Sequence, residues 1–352
     1  MITLLSSASA RPNFVKLAAV HHALKNRRDV RHVIVHTGQH YDPLLSDIFF
    51  QQLEIADPDF NLGVKGGATR EETIQATADA FIPILRSVKP DIVLVYGDVN
   101  GAVGAARAAH QLGIKVAHVE AGLRSFDSDM PEELNRIEID QIADDLFITE
   151  KSAAENIRAE NLKGHIYFVG NTMVDTLVRF QKKLGHISVQ SGGIVTIHRP
   201  SNVDSEVALR GILTFLSELS KVCPLTLPLH LRTKAAVERF GLEPLLKDIQ
   251  VIQPLGYIEF LKRISGSSFI LTDSGGIQEE AAFLGKRCFT MRRNTERPST
   301  IESGSNILID PSQNEDRERV LDFAKHPAPV NVRVPDKWDG KAGERIVEIL
   351  LD

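Results

Sequence analysis

Short runs of Val, Ile and Leu alternate with longer amphipathic segments along most of this 352-residue chain. A strand buried on both faces of a parallel sheet is a near-continuous apolar run, and a helix usually connects it to the next strand. The alternation therefore predicts parallel sheets covered by helices. In the first half the predicted strands are Ile2–Ser6, Val33–His36, Ile92–Tyr96, Lys115–His118, Leu146–Thr149 and Ile166–Val169.

The alternation stops at the Gly- and Ser-containing segment "GHISVQSGG" and then begins again. In the second half the predicted strands are Ile194–Ile197, Leu225–Leu229, Gln250–Ile252, Phe269–Thr272 and Arg287–Met291. Two strand–helix series joined by one linker predict an α/β protein with two doubly wound domains that face each other. The charged and Pro-rich stretch between Asp310 and Trp338 predicts one helix and a loop, followed by a last amphipathic segment.

Composition excludes several classes of partner. The formal charge of −5 and the pI near 6.2 argue against a general nucleic-acid or membrane-surface binder. No apolar stretch approaches the ~20 residues that span a bilayer, and Ile2–Leu5 is too short for a secretory core. Cys223 and Cys288 lie far apart, which predicts no disulfide framework and favours a reduced, cytoplasmic setting.

Polar side chains follow six of the predicted strands. The segments at those strand ends are "VHTGQHYD", "YGDVN", "HVEAGLR", "TIHRPSN", "LHLRT" and "TDSGG". In open parallel sheets ligands bind outside the carboxyl ends of the strands. Helix capping alone does not account for six such ends, so the pattern predicts a binding site there.

The segment "TDSGGIQEE" suggests an anion site. Ser274, Gly275 and Gly276 lie between a predicted buried strand and a helix, where free N–H groups bind anions and glycine admits a ligand closely. Glu279 and Glu280 are candidates for hydrogen bonds with ribose hydroxyls. The alternative is that Ser274 caps the helix and the glutamates favour its dipole. The spacing matches neither the P-loop nor GxGxxG, which argues against an ATPase or a nicotinamide-binding protein.

Cations at the predicted strand ends would balance a dianionic ligand. Arg11 and Lys16 flank the first strand–helix turn, with Pro12 predicted at the helix start. The other half supplies His198, Arg199, Arg232 and Arg297. Each of them alone is compatible with a solvated surface base, but together they favour a phosphate clamp.

Carboxylates at the strand ends are candidates for general acid–base catalysis. They are Asp98, Glu120 and the pair Glu132–Glu133, with Arg136 one helical turn further on. The alternative is that Asp98 caps a helix and that the pair belongs to a capping box. A metal site is disfavoured because HExxH, CxxC and His-x-His are absent from the sequence. Ser274 lacks a GxSxG elbow, which argues against a serine hydrolase.

The ordered motifs resemble those of the non-hydrolysing UDP-N-acetylglucosamine 2-epimerase family. They are "SARPNFVK", "HTGQHYD", "YGDVN", "HVEAGLRSF…MPEELNR", "FVGNTMVDTL", "TIHRPSNVD", "TDSGGIQEE", "NTERPST" and "WDGKAGERI". The resemblance implies the GT-B architecture, two Rossmann-like domains facing across a cleft. Residues 1–172 would form the first domain, with a helix over 338–352 packing back on it, and residues 173–337 the nucleotide-binding second domain. It also implies a homodimer.

The resemblance implies a reaction as well. The proton on sugar carbon 2 is not next to a carbonyl, so family members first eliminate UDP in anti geometry to give 2-acetamidoglucal. They then re-add UDP after protonating carbon 2 from the other face. This chemistry uses neither a metal nor another cofactor. The expected protein is a cytoplasmic enzyme that makes UDP-N-acetylmannosamine for surface polysaccharide.

The resemblance also assigns residues to parts of the substrate. Residues expected around the reacting ring are Asp98, Glu120, Glu132 and Arg136. Residues expected on the diphosphate or the sugar are Arg11, Lys16, His198 and Arg297. The phosphates would be held by Ser274, Gly275 and Gly276, the ribose by Glu280, and the uracil would lie near Phe260. The sequence leaves open which carboxylate takes the proton and which gives it.

Three residues depart from the family pattern. Ser9 stands where glycine is usual, Gly101 where Ser or Thr is usual, and Leu231 where Pro is usual. Ser9 is expected to restrict how closely its loop approaches the ligand. Gln39 and His40 match a loop that binds a second, activating substrate molecule in bacterial members. The nearby "KGGATREET" departs from the family pattern, which argues against such allostery here.

Four alternatives to the UDP-N-acetylglucosamine 2-epimerase remain open at this stage. Two lie within the family: an enzyme for a modified sugar such as UDP-2,3-diacetamido-glucuronate, and a hydrolysing variant that releases UDP. The third is a GT-B glycosyltransferase, which needs an acceptor groove rather than several acids around the ring. The fourth is an inactive protein that only binds a nucleotide sugar.

Overall fold

The computed structural model describes residues 1–38, 49–67, 69–185, 187 and 191–352, and of Arg11 it describes the backbone only. The side chain of Arg11, and the whole of Gln39 and His40, therefore lie outside the described residues. The chain packs as two compact units. Unit 1 comprises Met1–Arg179 and Asp336–Asp352, and unit 2 comprises Phe180–Pro335.

Unit 1 is built on a seven-stranded parallel sheet in the order β3-β2-β1-β4-β5-β6-β7. Its strands are β1 Ile2–Ala8, β2 Val30–His36, β3 Phe60–Asn61, β4 Ile92–Tyr96, β5 Lys115–Ala121, β6 Asp145–Ile148 and β7 His165–Phe168. The helices that follow them are α1 Arg11–Leu24, α2 Arg70–Val88, α3 Asn100–Gln111, α4 Pro131–Ile142, α5 Lys151–Ala159 and α6 Thr172–Gln181. The predicted parallel sheet and its six main strands are confirmed.

The core of unit 1 shows why this alternation folds as it does. All five residues of β4 are buried, as expected for a central parallel strand covered on both faces. α2 begins with a capping box, in which Thr69 accepts from the Glu72 amide and Glu72 accepts from the Thr69 amide. Gly104 allows α3 to pack closely on α2, because a Cβ there would lie 2.6 Å from the Cβ of Thr77.

The segment after residue 335 belongs to unit 1. Helix α14, Ala342–Leu351, packs on α1 with its apolar face, and the Gly343 amide donates to Asp175 at 2.6 Å. The indole of Trp338 is buried and donates to the carbonyl of Thr149 at 3.1 Å. Gly343 sits directly against the backbone of Ala19, where a Cβ would clash. The last helix therefore completes the core of unit 1.

Unit 2 is built on a six-stranded parallel sheet in the order β10-β9-β8-β11-β12-β13. Its strands are β8 Gly193–Thr196, β9 Leu225–Pro228, β10 Gln250–Ile252, β11 Phe269–Thr272, β12 Arg287–Met291 and β13 Asn306–Ile309. Its helices are α7 Pro200–Val203, α8 Glu206–Leu219, α9 Leu231–Phe240, α10 Tyr257–Gly266, α11 Gly275–Phe283, α12 Pro298–Glu302 and α13 Asn314–Lys325. The five predicted strands are confirmed, and β13 is an addition at the sheet edge.

Strand order reverses once in each sheet, and these two places position the functional residues. In unit 1 the reversal lies between β1 and β4, and in unit 2 between β8 and β11. Ligands of open α/β sheets bind outside the carboxyl ends of the strands at such switch points. The segments "SARPN" and "YGDVN" follow β1 and β4, and "IHRP" and "DSGG" follow β8 and β11.

Two further expectations can be compared with the fold. Across the described part of the chain, the helices are too short or too polar to cross a bilayer. Both cysteines are free thiols. Burial raises the pKa of Cys288 to about 12.

Candidate functional site

The turn after β4 is the centre of the unit 1 site. Gly97 has a φ of 63°, in the left-handed region that glycine occupies at little cost. A Cβ at this position would lie 2.6 Å from Lys16 Nζ and 3.8 Å from Glu120 Oε1. Glycine is therefore required here, and it brings the turn that carries Asp98 against Lys16 and Glu120.

Glu120 lies on a β-bulge within β5. The predicted strand end at His118 is wrong, because the ladder to β6 continues to Ala121 with a register shift at Val119/Ala121. Glu120 has a φ of 77°, and a non-glycine residue held in this region costs about 1–3 kcal/mol. Bulges re-aim side chains. The Glu120 side chain is 2% exposed and accepts a hydrogen bond from Lys16 Nζ at 2.7 Å.

Arg136 connects two carboxylates. Its buried guanidinium donates to Asp98 and, at 2.7 Å, to Glu133 one helical turn earlier on α4. Glu133 also accepts from the amide and hydroxyl of Ser125, at 2.9 and 2.8 Å, and from the amide of Phe126 at 3.0 Å. Burial alone would raise the pKa of Glu133, but the hydrogen bonds from Arg136 and Ser125 outweigh it and lower that pKa.

These side chains form one group, which we call the acid cluster: Lys16, Asp98, Glu120, Glu133 and Arg136. Glu132, predicted near the ring, is half-buried in the first turn of α4. It is its neighbour Glu133 that pairs with Arg136. The structure thus brings Asp98, Glu120, Arg136 and Lys16 to one edge of the unit 1 sheet.

Two asparagines that the sequence reasoning missed hold this edge in place. Asn13 accepts from the amide of Ala10 at 3.0 Å and donates to the carbonyl of Tyr96 at 2.7 Å. Asn135 donates to the carbonyl of Asp98 at 2.7 Å. Both residues lie within motifs quoted above, "RPNF" and "EELNR". Their amide side chains lie close in sequence to Arg11 and Arg136, which was the only sign in the sequence that they belong to the site.

Ser9 and Gly101 share one space. Ser9 is 1% exposed, and its hydroxyl accepts from Thr37 at 2.7 Å. A Cβ at Gly101 would clash with the Ser9 hydroxyl and would lie 2.7 Å from Thr37 Oγ1. The Ser9 side chain therefore fills the space that a side chain at position 101 would occupy. Leu231, the third departure, is exposed at the start of α9.

In unit 2, Asp273 organises the ends of β8 and β11. Its carboxylate accepts from the amides of His198 and Arg199, at 3.0 and 2.9 Å, and lies 3.0 Å from His198 Nδ1. Burial alone would raise the pKa of Asp273, but the hydrogen bonds and charge of His198 lower it to about 2. Because Nδ1 is engaged by Asp273, a ligand would meet Nε2 of the half-exposed His198. The sequence reasoning quoted "TDSGG" but missed Asp273.

The start of α11 carries the predicted phosphate residues. Ser274 is the N-cap residue of the helix, and within the described chain its side chain makes no capping hydrogen bond. Gly275 and Gly276 form the first two positions of the helix. A Cβ at Gly275 would clash with the guanidinium of Arg297. Glycine at 275 thus lets Arg297 reach the helix start.

Arg297 is buried among carboxylates. Its guanidinium is 6% exposed, donates to Glu296, and has Nε 3.1 Å from Glu279 Oε1. Glu296 also accepts from Arg292 at 2.7 Å. Glu279 therefore pairs with Arg297. We call the unit 2 group the helix-start cluster: His198, Asp273, Ser274, Gly275, Gly276 and Arg297.

Glu280 is buried on α11 beside Tyr257 of α10. Burial raises its pKa to about 8, the charge of Glu279 adds to the rise, and the nearby Tyr257 hydroxyl opposes it. A carboxyl with this pKa is mostly protonated at pH 7 and can both donate and accept. Phe260 is half-buried one turn after Tyr257. Nowhere in the described ranges do three or more His, Cys, Asp or Glu side chains converge as metal ligands.

Two Rossmann-like, doubly wound units with polar clusters at their switch points define a protein of the GT-B class. A family model described as UDP-N-acetylglucosamine 2-epimerase matches residues 22–351, and the chain belongs to this family of isomerases. The predicted family, GT-B fold and enzyme class are confirmed. None of these comparisons concerns the individual site residues, whose roles stay predictions.

Three relatives are similar over nearly their full length. A Pseudomonas aeruginosa protein named UDP-2,3-diacetamido-2,3-dideoxy-D-glucuronate 2-epimerase is 38% identical over 99% of both chains. The crystal structure of Methanocaldococcus jannaschii UDP-GlcNAc 2-epimerase in complex with UDP-GlcNAc and UDP is 36% identical over 99% of both chains, with a TM-score of 0.90. The Neisseria meningitidis enzyme bound to UDP-GlcNAc is 27% identical over 99% of this chain and 100% of that chain, with a TM-score of 0.86.

Proposed function

We propose that this chain interconverts UDP-N-acetylglucosamine and UDP-N-acetylmannosamine. The route is anti elimination of UDP to 2-acetamidoglucal, protonation of carbon 2, and re-addition of UDP. The observation that carries the proposal is the acid cluster. Asp98 and Glu120 lie at adjacent strand ends, each fixed by its own buried cation, Arg136 and Lys16.

Proton transfer at carbon 2 requires side chains whose direction is set before the substrate arrives. A positioned acid or base contributes about 10²–10⁴ in rate. Arg136 and Lys16 fix one oxygen of each carboxylate, which leaves the orientation of the second oxygen defined as well. In this proposal Asp98 and Glu120 are the proton-transfer pair, with Glu132 and Arg136 around the ring.

The helix-start cluster would hold UDP while it is detached from the sugar. The amides at the start of α11 and Nε2 of His198 are suited to a diphosphate, because helix N-termini and charge-assisted donors bind phosphate oxygens. Arg297 lies beside Gly275 and would contact the sugar or the phosphates, and Arg11 and Lys16 would contact the diphosphate or the sugar. The protonated Glu280 would exchange hydrogen bonds with the ribose, and Phe260 would lie near the uracil.

The experiment that tests the proposal uses the purified protein and UDP-N-acetylglucosamine in deuterated water, followed by proton NMR. Elimination through the glycal predicts deuterium at carbon 2 and a mixture of the two epimers. Recovery of substrate without deuterium would defeat the proposal for this sugar. Steady accumulation of free UDP and N-acetylmannosamine would identify a hydrolysing enzyme instead.

A second candidate substrate is UDP-2,3-diacetamido-2,3-dideoxy-D-glucuronate. The observation that favours it is the 38% identity to the Pseudomonas aeruginosa enzyme of that name. Both sugars carry an acetamido group at carbon 2, so the same acid cluster serves both reactions. Comparing kcat/KM for the two substrates decides between them. A ratio above about 100 in favour of the glucuronate would replace the first proposal.

The assembly and the location are also part of the proposal. We expect a homodimer, a cytoplasmic location, and use of the product in surface polysaccharide. The two free cysteines are compatible with a reducing compartment. Light scattering of the pure protein at micromolar concentration tests the first expectation, and fractionation of cells tests the second.

A further inference from the structure

A buried imidazole lies beneath the acid cluster and takes no part in the reaction proposed above. His118 of β5 is 0% exposed. Its Nδ1 lies 2.6 Å from Asp140 Oδ1, and its Nε2 lies 2.9 Å from the carbonyl oxygen of Gly97. The imidazole therefore bridges the carboxylate of Asp140 and the carbonyl of Gly97.

Asp140 of α4 is the hydrogen-bonding partner of His118. It is fully buried, and its second oxygen accepts from the amide of Gly122 at 3.0 Å and from Arg124 at 2.7 Å. Burial alone would raise the pKa of Asp140, but the charges and hydrogen bonds of His118 and Arg124 outweigh it. Arg124 also pairs with Glu160 at 2.7 Å, so its guanidinium lies between the carboxylates of Asp140 and Glu160.

His118 and Asp140 hydrogen-bond to the two backbone segments that carry Asp98 and Glu120. Gly97 immediately precedes Asp98, and Gly122 lies two residues after Glu120. Gly97, Glu120 and Gly122 have φ values of 63°, 77° and 77°, so the backbone is left-handed on both sides. Such conformations persist only where the surroundings over-determine them.

We propose that His118 and Asp140 are positioning residues that set the placement of Asp98 relative to Glu120. This inference rests on the proposed function, because it assigns a purpose to the distance between those two acids. Neither residue touches the substrate. His118 links the carbonyl of Gly97, in the turn after β4, to Asp140. Asp140 also accepts from the amide of Gly122, after the β5 bulge, so both segments are held by the same residue of α4.

Two substitutions at His118 separate its contact with Asp140 from its contact with Gly97. In His118→Asn the amide nitrogen falls near the place of Nδ1, which keeps a donor for Asp140 and releases Gly97. In His118→Gln it falls near the place of Nε2, which keeps the donor for Gly97 and releases Asp140. Asp140→Asn weakens both. The matched control is His32→Gln, because His32 is a histidine of the same sheet that hydrogen-bonds to Ser6 instead.

The expected result is a fall in kcat with little change in KM. A displacement of about 1 Å in a reacting group costs on the order of 100-fold, so we expect kcat to fall about 10- to 100-fold in His118→Asn and Asp140→Asn. UDP affinity, measured by calorimetry, should match that of the wild type. His32→Gln should keep both parameters. Values of kcat within twofold of wild type in both variants would overturn the proposal.

A second readout does not depend on the substrate. Hydrogen exchange of the backbone over residues 97–101 should accelerate in His118→Asn, and less in His118→Gln, with no change in His32→Gln. Unchanged exchange over this segment in both His118 variants would overturn the positioning role whatever sugar the enzyme uses. Absence of deuterium at carbon 2 with the wild-type protein would instead defeat the proposed function, so the two failures are distinguishable.

Discussion

The carboxyl edges of the two sheets orient their polar side chains by different means. In unit 1 the acid cluster depends on left-handed backbone at Gly97, Glu120 and Gly122. In unit 2 the described residues at the ends of β8 and β11 have ordinary backbone, and Asp273 and the start of α11 do the orienting. The first edge holds a non-glycine residue, Glu120, in left-handed backbone, whereas the second has ordinary backbone and presents a helix N-terminus.

This difference matches the tasks proposed for the two edges. The rate of proton transfer depends on the position of the acid to within a few tenths of an ångström. A strained backbone can provide this position where buried ion pairs hold it in place. Holding a diphosphate depends on several donors whose contributions add, and an ordinary helix start provides them. We therefore expect substitutions in unit 1 to change kcat and substitutions in unit 2 to change affinity.

The largest effect is expected for Glu120→Gln in unit 1. We predict that kcat falls about 10²–10⁴-fold, because a positioned acid or base is lost, while UDP affinity stays near the wild-type value. Steady-state kinetics and calorimetry measure the two quantities, and Glu155→Gln on the exposed face of α5 is the matched control. An equal loss of UDP affinity would remove the distinction between the two edges.

The second effect concerns Asp273→Asn in unit 2. Loss of the charged hydrogen bond to His198 should weaken UDP binding about 10- to 100-fold, since a hydrogen bond to a charged group contributes about 1.5–3 kcal/mol. The kcat at saturation should stay within a few-fold of wild type. Calorimetry with UDP checks this, with exposed Asp248→Asn as control. A variant that binds UDP normally but turns over slowly would contradict our assignment of the cluster.

The third effect tests the shared space of Ser9 and Gly101 in unit 1. Gly101→Ala should lower the free energy of unfolding by about 1–3 kcal/mol, because its methyl group overlaps the Ser9 hydroxyl. In the Ser9→Gly background the same change should cost less, since only the Thr37 hydroxyl, 2.7 Å from the added Cβ, still has to move. Denaturant unfolding of the four proteins gives the coupling energy. A cost for Gly101→Ala that is the same in both backgrounds would show that the positions are independent.

The smallest effect comes from Glu280 in unit 2. Its folded-state pKa of about 8 lies above the ordinary value of 4.5, so between these values the folded protein holds a proton that the unfolded chain has lost. Stability contributed by this group therefore falls as pH rises, by about 1.4 kcal/mol between pH 6.5 and 7.5. Glu280→Gln should lose this slope. Melting temperatures of both proteins across that interval provide the measurement, and parallel profiles would refute it.

The sheets could be predicted from the sequence because buried parallel strands are apolar runs that need no partner to be recognised. β4 and β11 were predicted to the residue for this reason. β13, with the sequence "NILI", was not predicted from the sequence. The strand end at Glu120 was placed too early, since a bulge depends on the neighbouring strand and leaves no periodic signal.

The candidate site was predictable in its residue types and less so in its pairings. The position of Asp98 and Glu120 at strand ends, and of Arg136 one helical turn beyond Glu132–Glu133, follows from the motif order. The sequence does not reveal that Glu133 rather than Glu132 pairs with Arg136, because residues three and four positions apart on a helix are both neighbours. The roles of His118 and Asp140 were missed because the two residues are 22 positions apart, and nothing in the sequence shows that they form a buried contact.

The return of α14 to unit 1 has a consequence for biosynthesis. On the ribosome, residues 336–352 emerge only after every residue of unit 2, so unit 2 can reach its native state while the α1 surface of unit 1 is still uncovered. Nascent protein would expose the apolar groove along α1 during that interval. We therefore expect chaperones to bind mainly to unit 1, which is synthesised first but completes its fold only when its last helix has emerged.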